Sequence, residues 1–319
     1  MQGAFLVLAM AMAPAWVGAE SPQSLDEAWW TGPLLASSAA TLPHGHFLVE
    51  PYLFDSMIHE EFDARGVRRE TTHQQRLGSL TYLLYGVTDR FTAGMIPTFG
   101  YTLSSGSGSS TGVQFGDLAL QGQYRLSRFE PGSWLPAASL VVGETFPTGK
   151  YDRLGAHSPD AFGAGVHTTT VSLYMQDYFW MPNGRILRSR LDLSYAFSDS
   201  ASVRDLSVYG TGAGFRGNAR PGDSYIADAA WEYSVTRHWV LALDAQYVHN
   251  DPTGVTGSSA DGMRSVFLSS GASWLLSLAP ALEYNWNARV GIIVGAKFSP
   301  KGRNTSAPVI PVAALNLVY

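Results

Sequence analysis

The stretch SYIADAAWEYSV, residues 224–235, alternates without a break. One face carries Tyr225, Ala227, Ala229, Trp231, Tyr233 and Val235; the other carries Ser224, Ile226, Asp228, Ala230, Glu232 and Ser234. Successive side chains of an extended chain point to opposite sides, so a period of two with one wholly apolar face marks a strand between an oily and a polar medium. Neighbouring stretches repeat the pattern. Leu187, Leu191, Leu193, Tyr195 and Phe197 oppose Arg188, Arg190, Asp192 and Ser194, and Trp239, Leu241, Leu243, Ala245 and Tyr247 oppose Asp244 and Gln246. Val290, Ile292, Val294, Ala296 and Phe298 oppose Arg289 and Lys297.

Carried along the chain, this reading predicts twelve strands, at 46–54, 72–86, 89–102, 113–127, 135–146, 165–180, 185–198, 223–235, 238–249, 272–285, 287–298 and 308–319. Three of them, 72–86, 135–146 and 272–285, alternate poorly. The connections alternate in length. Tight links fall at Gly86-Val87-Thr88, Met181-Pro182-Asn183-Gly184, Thr236-Arg237 and Trp286-Asn287, with a longer one near Phe129-Glu130-Pro131-Gly132. Polar links lie near 55–71, 103–112, 147–164, 199–222, 250–271 and 299–307. An even strand number with short turns at one end and long loops at the other is the plan of a transmembrane antiparallel up-and-down β-barrel, with the turns periplasmic and the loops extracellular.

A soluble β-sandwich also alternates, but its polar faces meet bulk water and favour Lys and Glu. Here only 15% of residues are charged, and lysine occurs three times, at Lys150, Lys297 and Lys301. Aromatics supply a second distinction. Tyr85, Phe91, Phe179, Trp180, Trp231, Tyr233, Trp239, Tyr284, Trp286 and Tyr319 all lie near a short turn or the C-terminus, as an interfacial girdle requires. The chain ends Leu315-Asn316-Leu317-Val318-Tyr319, which resembles the C-terminal strand signal read by barrel-assembly machinery.

The absence of cysteine excludes disulfide scaffolds, thiol catalysis and cysteine metal sites, and a net charge of −5 with scattered arginines gives no basic stripe for nucleic acid. The apolar run from Ala4 to Ala13, followed by Val17-Gly18-Ala19, reads as a signal peptide over 1–19, although no Lys or Arg precedes it. Residues 20–45 then form a periplasmic segment or plug ahead of a barrel over 46–319. Trp29 and Trp30 favour a place for Leu25–Pro43 against the membrane face over one inside the lumen. The uncharged run Ser265–Leu282 is weakened as a membrane helix by five serines and Pro280.

Several motifs give the chain a family likeness. They include Trp30-Thr31-Gly32-Pro33-Leu34-Leu35, Glu50-Pro51-Tyr52, Gly86-Val87-Thr88-Asp89-Arg90 and Gly116-Asp117-Leu118. Further on come Phe146-Pro147-Thr148-Gly149-Lys150-Tyr151, Gly222-Asp223-Ser224, Glu232-Tyr233-Ser234 and Gly302-Arg303-Asn304-Thr305. Across about residues 29–319 the chain resembles the phenol meta-pathway degradation family of outer-membrane barrels. The resemblance implies a transporter or channel linked to aromatic degradation, with substrates poorly defined.

Inward positions are where a barrel acts, because charges facing lipid cost a few kcal/mol near the bilayer midplane. The alternation nominates Arg90, Asp117, Gln121, Gln123, Arg125, Arg188, Arg190, Asp192, Asp228, Glu232, Asp244, Gln246, Arg289 and Lys297 as lumen-lining. They form either a polar solute path with selective charge rings or a paired network that stiffens the lumen. Lys150, Tyr151, Asp152 and Arg153 are candidates for a loop at the mouth. A tight turn after residue 235 would place Asp228 near Gln246 and Ala230 near Asp244. The Ser104–Gly112 tract lacks the following helix that a phosphate cradle needs.

For an outer-membrane hydrolase the suggestive placements are His167 before Thr168–Thr170, His238 beside Trp239, and His249-Asn250-Asp251, none in a nucleophile motif. His44 and His46 lack a third metal ligand. Neither an enzyme, a cofactor nor a metal is implied. Twelve strands predict a narrow pore admitting small solutes, which join lipid and the assembly machinery as expected partners. Aromatic or hydrophobic growth substrates are what the resemblance implies. The alternatives are a narrow porin in which Arg188, Arg190 and Arg289 bind anionic or sugar-like nutrients, and a non-conducting structural barrel.

Overall fold

The computed structural model describes residues 22–319 apart from 107, 156, 261 and 263. The expected signal peptide lies outside the described residues. Twelve strands form the barrel wall: β1 (Phe47–Phe62), β2 (Arg68–Thr88), β3 (Phe91–Ile96, continued by Thr98–Ser104), β4 (Leu118–Ser127), β5 (Ala137–Phe146) and β6 (Thr168–Trp180). They continue with β7 (Ile186–Ser198), β8 (Ser224–Ser234), β9 (Trp239–Asn250), β10 (Ser273–Asn287), β11 (Val290–Arg303) and β12 (Val309–Val318). Each pairs antiparallel with the next, and β12 returns to β1. The wall therefore has no edge within the membrane, where an unpaired backbone group would have no water to turn to.

Closure runs from Leu48 opposite Val318 to Met57 opposite Val309. At its periplasmic end Phe47 and Tyr319 exchange backbone hydrogen bonds of 3.1 and 2.8 Å. The alternation sorts the faces as the residue types demand: Leu193 is 42% exposed and Trp231 40%, while their neighbours Asp192 and Glu232 are 6% and 0%. Pro97 interrupts β3, because proline has no N–H for the ladder, yet its carbonyl still accepts the Thr81 N–H at 3.1 Å. All three poorly alternating segments are strands. In 272–285 the phase is blurred because the inward face of β10 includes the small residues Ser277, Ala279 and Ala281.

The extracellular side differs most from expectation. The link expected at 55–71 is mostly strand, with β1 and β2 running on to a turn at 63–67. In that turn Asp63 accepts the Val67 and Arg65 N–H groups, which hold its carboxyl below the usual carboxylate range. The links at 199–222 and 250–271 hold a separate four-stranded sheet, Ala201–Arg204, Arg216–Arg220, Gly254–Ser258 and Ser265–Ser269. Its strands are only four or five residues long and carry the alternation over too few residues to stand out. The run Ser265–Leu282 is thereby divided between that sheet and β10, and no helix among the described residues is long and apolar enough to cross a membrane.

Since Leu193 faces lipid, Leu193→Arg should destabilise the folded barrel by roughly 2–4 kcal/mol if it lies near the midplane. Asp192→Asn, one position along, should leave the lipid face intact, and denaturant unfolding of vesicle-embedded protein compares the two.

Candidate functional site

The segment expected against the membrane face instead enters the lumen. It starts at the periplasmic rim, where Gln23 N–H donates to the Gly184 carbonyl at 2.9 Å and Trp180 Nε1 donates to the Gln23 carbonyl at 2.8 Å. Trp29 meets His238 edge to face at 4.9 Å under the Arg237 guanidinium. Residues 30–41 then form a strap through the barrel interior. It leaves beside the β2–β3 turn, where Thr41 Oγ1 donates to the Asp89 carbonyl at 2.8 Å and the His44 N–H donates to the Asp89 carboxylate at 3.0 Å. That N–H holds the Asp89 carboxyl below the usual range.

An extended strap inside a closed wall has backbone donors with no strand to pair with. Three carboxylates take them. Glu283 of β10 accepts the N–H groups of Thr31 at 2.8 Å and Gly32 at 3.2 Å. Asp244 of β9 accepts those of Leu34 at 3.0 Å, Leu35 at 3.2 Å and Ala36 at 3.0 Å. Asp192 of β7 accepts that of Ser37 at 2.6 Å. Pro33, which has no N–H, falls at the hand-over from Glu283 to Asp244, so every backbone donor from Thr31 to Ser37 ends on a carboxylate. Further along, Gln123 Nε2 donates to the Ser38 carbonyl at 2.9 Å and Ser139 Oγ to the Ala39 carbonyl at 2.6 Å.

The wall is shaped to receive the strap. Leu34 packs on Ala242, Ala279, Ile293 and Ala314, small or branched residues whose inward faces leave room for it. Two glycines of β11 bring the backbones close: a Cβ at Gly291 would lie 2.0 Å from Thr31 Oγ1, and one at Gly295 would lie 2.8 Å from Leu34 Cδ1. Arg188 pairs with Glu232 through both its Nε, at 2.6 Å, and its Nη2, and stacks over the Trp30 ring at 4.4 Å. Arg190 donates to Glu232 at 3.0 Å and to the Ala36 carbonyl at 3.0 Å. Two guanidinia thus neutralise one buried carboxylate and fasten the strap from the other side.

Between the strap and the opposite wall is a cavity of about 380 Å³, within the usual 300–1,000 Å³ of ligand pockets. Leu34, Leu48, Leu80 and Leu84 give it apolar walls, Tyr52 and Tyr82 add two rings packed edge to face with centroids 5.8 Å apart, and Glu50 and Asn316 supply a polar pair. Over the extracellular side, Arg76 stacks on Phe162 at 4.4 Å and donates to the Ala161 carbonyl at 3.2 Å. Asp160 secures that loop by accepting the Thr111 N–H at 2.8 Å and hydroxyl at 2.9 Å. Burial alone would raise the Asp160 carboxyl, but these bonds and Lys150 outweigh it and hold it below the usual range.

Of the nominated residues, Arg188, Arg190, Asp192, Glu232 and Asp244 converge on the strap, and Gln121 and Gln123 line the cavity. Asp228, Gln246 and Lys297 form a chain of hydrogen bonds at 3.0 and 2.8 Å, with Asp228 opposite Gln246 and Ala230 opposite Asp244. Arg125 lies near Asp89, Arg90 and Arg128 at the periplasmic rim. Three nominations place the residue wrongly. Arg90 and Arg289 are exposed in the periplasmic turns, because their strands begin only at Phe91 and Val290. Asp117 lies at the extracellular end of β4 and clamps the next loop, accepting the Gly149 and Ala164 N–H groups at 2.8 and 2.7 Å.

The mouth-loop candidates tie that loop down. Lys150 lies 3.7 Å from Asp160, Tyr151 donates to the Ser202 carbonyl at 2.8 Å, Asp152 accepts the Arg204 N–H at 3.1 Å, and Arg153 Nε is 4.0 Å from Asp152. His167, His238 and His249 bond Glu144, the Asn285 carbonyl and Asp251 respectively. Among the described residues no cluster of three His, Cys, Asp or Glu could hold a metal. Sequence reasoning missed Glu50 and Glu283. Glu283 was discoverable as the first charge to follow the uncharged run ending at Leu282.

Residues 59–305 match the model of the family described as "MetA-pathway of phenol degradation". The chain belongs to this family. Among solved structures it is similar to the COG4313 outer membrane channel from Pseudomonas putida F1, at 16% identity over 88% of this chain and 98% of that one, with a TM-score of 0.68. It is also similar to the β domain of the Bordetella autotransporter BrkA, at 12% identity over 86% and 100% of the two chains and a TM-score of 0.45. Likeness to a TodX mutant, a monoaromatic hydrocarbon channel, is lower, at 13% identity over 94% and 98% and a TM-score of 0.38. No curated protein matches the chain. Family and fold together place this barrel in the outer membrane.

Asp244→Ala would orphan three strap N–H groups at once and should cost on the order of 3 kcal/mol of strap docking. Hydrogen exchange at the amides of Leu34, Leu35 and Ala36 should then speed up by about 100-fold, whereas Asp244→Asn, which keeps an acceptor oxygen, should show a smaller effect.

Proposed function

We propose that this protein is an uptake channel for small aromatic or hydrophobic solutes, with the strap as its gate. The observation that carries the reading is the cavity beside the strap. Leucines and two tyrosine rings offer apolar and aromatic contact, while Glu50 and Asn316 can orient a single hydroxyl or similar group. A phenolic solute suits that combination, and the family's description names phenol degradation.

Transport requires the strap to yield. It is held by polar bonds to the β7, β9 and β10 wall and by modest packing of Leu34, and it has no ladder of its own. Such a segment can move as a unit while the barrel stays closed. Lipid, the assembly machinery acting on the strand that ends at Tyr319, and the solute are the partners in this reading; no catalytic step is part of it. The porin alternative has less support, since Arg188 and Arg190 are engaged by Glu232 and Arg289 stands outside the lumen.

Flux into vesicles carrying the protein tests the proposal. Phenol should enter faster than a neutral pentose through the wild type, after subtraction of leakage in protein-free vesicles. Removing residues 22–41 should raise pentose flux and shrink the difference. Equal flux of the two solutes through the intact chain would contradict the reading.

A further inference from the structure

The register of β1 against β12, which closes the barrel, is broken twice. Leu48 and Val49 face Val318 and Leu317, Tyr52 to Phe54 face Ala314 to Val312, and Met57 faces Val309, but the positions between these groups have no registered partner. Proline explains both breaks. Phe47 and Tyr319 exchange two backbone hydrogen bonds, and such pairs recur at every second position of an antiparallel ladder. Counted along the register, the exchanging pairs include Pro51 with Leu315 and Asp55 with Pro311. Each proline therefore turns its ring nitrogen to the seam, where the ladder calls for an N–H. The Leu315 and Asp55 carbonyls lose their ladder donors. On their other sides both prolines are in register, Pro51 with Thr81 and Pro311 with Ala296.

Prolines weaken other seams too. Pro97 interrupts that of β2 with β3, and Pro280, with a bulge above it, that of β10 with β11. Behind Pro280, however, Leu34 of the strap packs on Ala279. The closing seam has the lumenal cavity behind it on both strands, lined by Leu48, Glu50 and Tyr52 of β1 and by Asn316 and Val318 of β12. A side-chain bond spans the lower break, Asn316 Nδ2 donating to Glu50 Oε1 at 3.3 Å. In front of the seam is hydrocarbon. At ~3.4 Å per residue and a tilt of about 40°, Pro51 stands about 10 Å above Phe47 at the periplasmic rim, within an apolar band ~25 Å tall. The strap reaches this seam as well, because Leu34 packs on Ala314, the register partner of Tyr52 just above the lower break. Withdrawing the strap removes that inner support.

We propose that the seam between β1 and β12 is a lateral exit. With the strap displaced, an apolar solute in the cavity leaves between Pro51 and Leu315 into the hydrocarbon of the membrane instead of descending to the periplasmic rim. The inference rests on the channel reading and supplies its route. From Val49 to Tyr52, β1 covers about 10 Å of strand with no registered partner in between, an interval that a single aromatic ring can cross edge-on. Release of such a solute into lipid is favourable, whereas a sugar would leave its hydration behind. Parting the strands here breaks fewer ladder bonds than in a seam without proline.

A reversible lock on the seam tests this. The chain has no cysteine, so Leu53→Cys with Ala313→Cys places one pair between the two breaks. Leu53 and Ala313 are register partners on the lipid side, and Cα atoms so paired lie ~5.5 Å apart, within disulfide reach. Leu193→Cys with Ala227→Cys, register partners on β7 and β8, is the control. Phenol and pentose fluxes are measured in vesicles, oxidised and then reduced. Oxidation of the seam pair should abolish protein-dependent phenol flux and reduction restore it, while the control pair does neither. In the seam variant that also lacks residues 22–41, pentose flux should be the same in both states, because the lumen stays open. Phenol flux unchanged by a cross-link verified by mass spectrometry, with phenol still preferred over pentose, overturns the lateral exit and leaves the channel reading standing. Equal fluxes of the two solutes before oxidation overturn both. If the cysteine pair fails to fold, Pro51→Val with Pro311→Val supplies the two missing donors. Exchange at the Leu53 and Ala313 amides should then slow by about tenfold or more. Phenol flux should fall with it, and flux equal to that of the wild type overturns the proposal.

Discussion

Closure of the sheet between β1 and β12 is the constraint on which everything else depends. Within lipid each strand must find both neighbours, and the pairing of Leu48 with Val318 through Met57 with Val309 removes the last open edge. Closure also divides every strand into an outward face that must be apolar and an inward one that is free to be polar. Only inside such a wall can Glu232, Asp244 and Glu283 be almost wholly buried, shielded from both lipid and bulk water.

Buried carboxylates are costly unless hydrogen-bonded, and here their partners are the guanidinia of Arg188 and Arg190 and the backbone of the strap. The dependence is mutual. Without the strap, Glu283, Asp244 and Asp192 lose their backbone donors, and without these acids the strap's N–H groups have no acceptors. Packing supplies the fit, through alanines of β9, β10 and β12 and through Gly291 and Gly295. Polar bonds fix register and apolar contact is modest, which suits a segment that must stay in place at rest and still be displaceable.

Much of the wall was legible in the sequence because a period of two sustained over ten or more residues fits little besides a strand with two unlike faces. Residues 224–235 show this best, since every outward position is apolar. Where inward positions are themselves small and apolar, as at Ala279, Ala281 and Ala314, alternation weakens and the phase must come from the neighbouring strands. The lumenal acids on β7, β8 and β9 could be named for the same reason. What they bind could not, because an extended, irregular strap has no periodicity. Its two tryptophans suggested an interface, whereas Trp30 stacks under Arg188 inside the barrel and Trp29 packs on His238. The misplaced Arg90 and Arg289 show the limit of alternation at strand ends, where one residue decides between lumen and turn.

The central claim is that displacement of the strap opens the passage. The chain contains no cysteine, so Thr31→Cys with Asn285→Cys introduces one unique pair where strap and β10 already touch, the Thr31 hydroxyl donating to Asn285 Oδ1 at 2.9 Å. The decisive measurement is phenol flux through this variant in vesicles, oxidised and then reduced. The account predicts that oxidation stops protein-dependent flux and that reduction restores it. Equal flux in both states, with the cross-link verified by mass spectrometry, would contradict it.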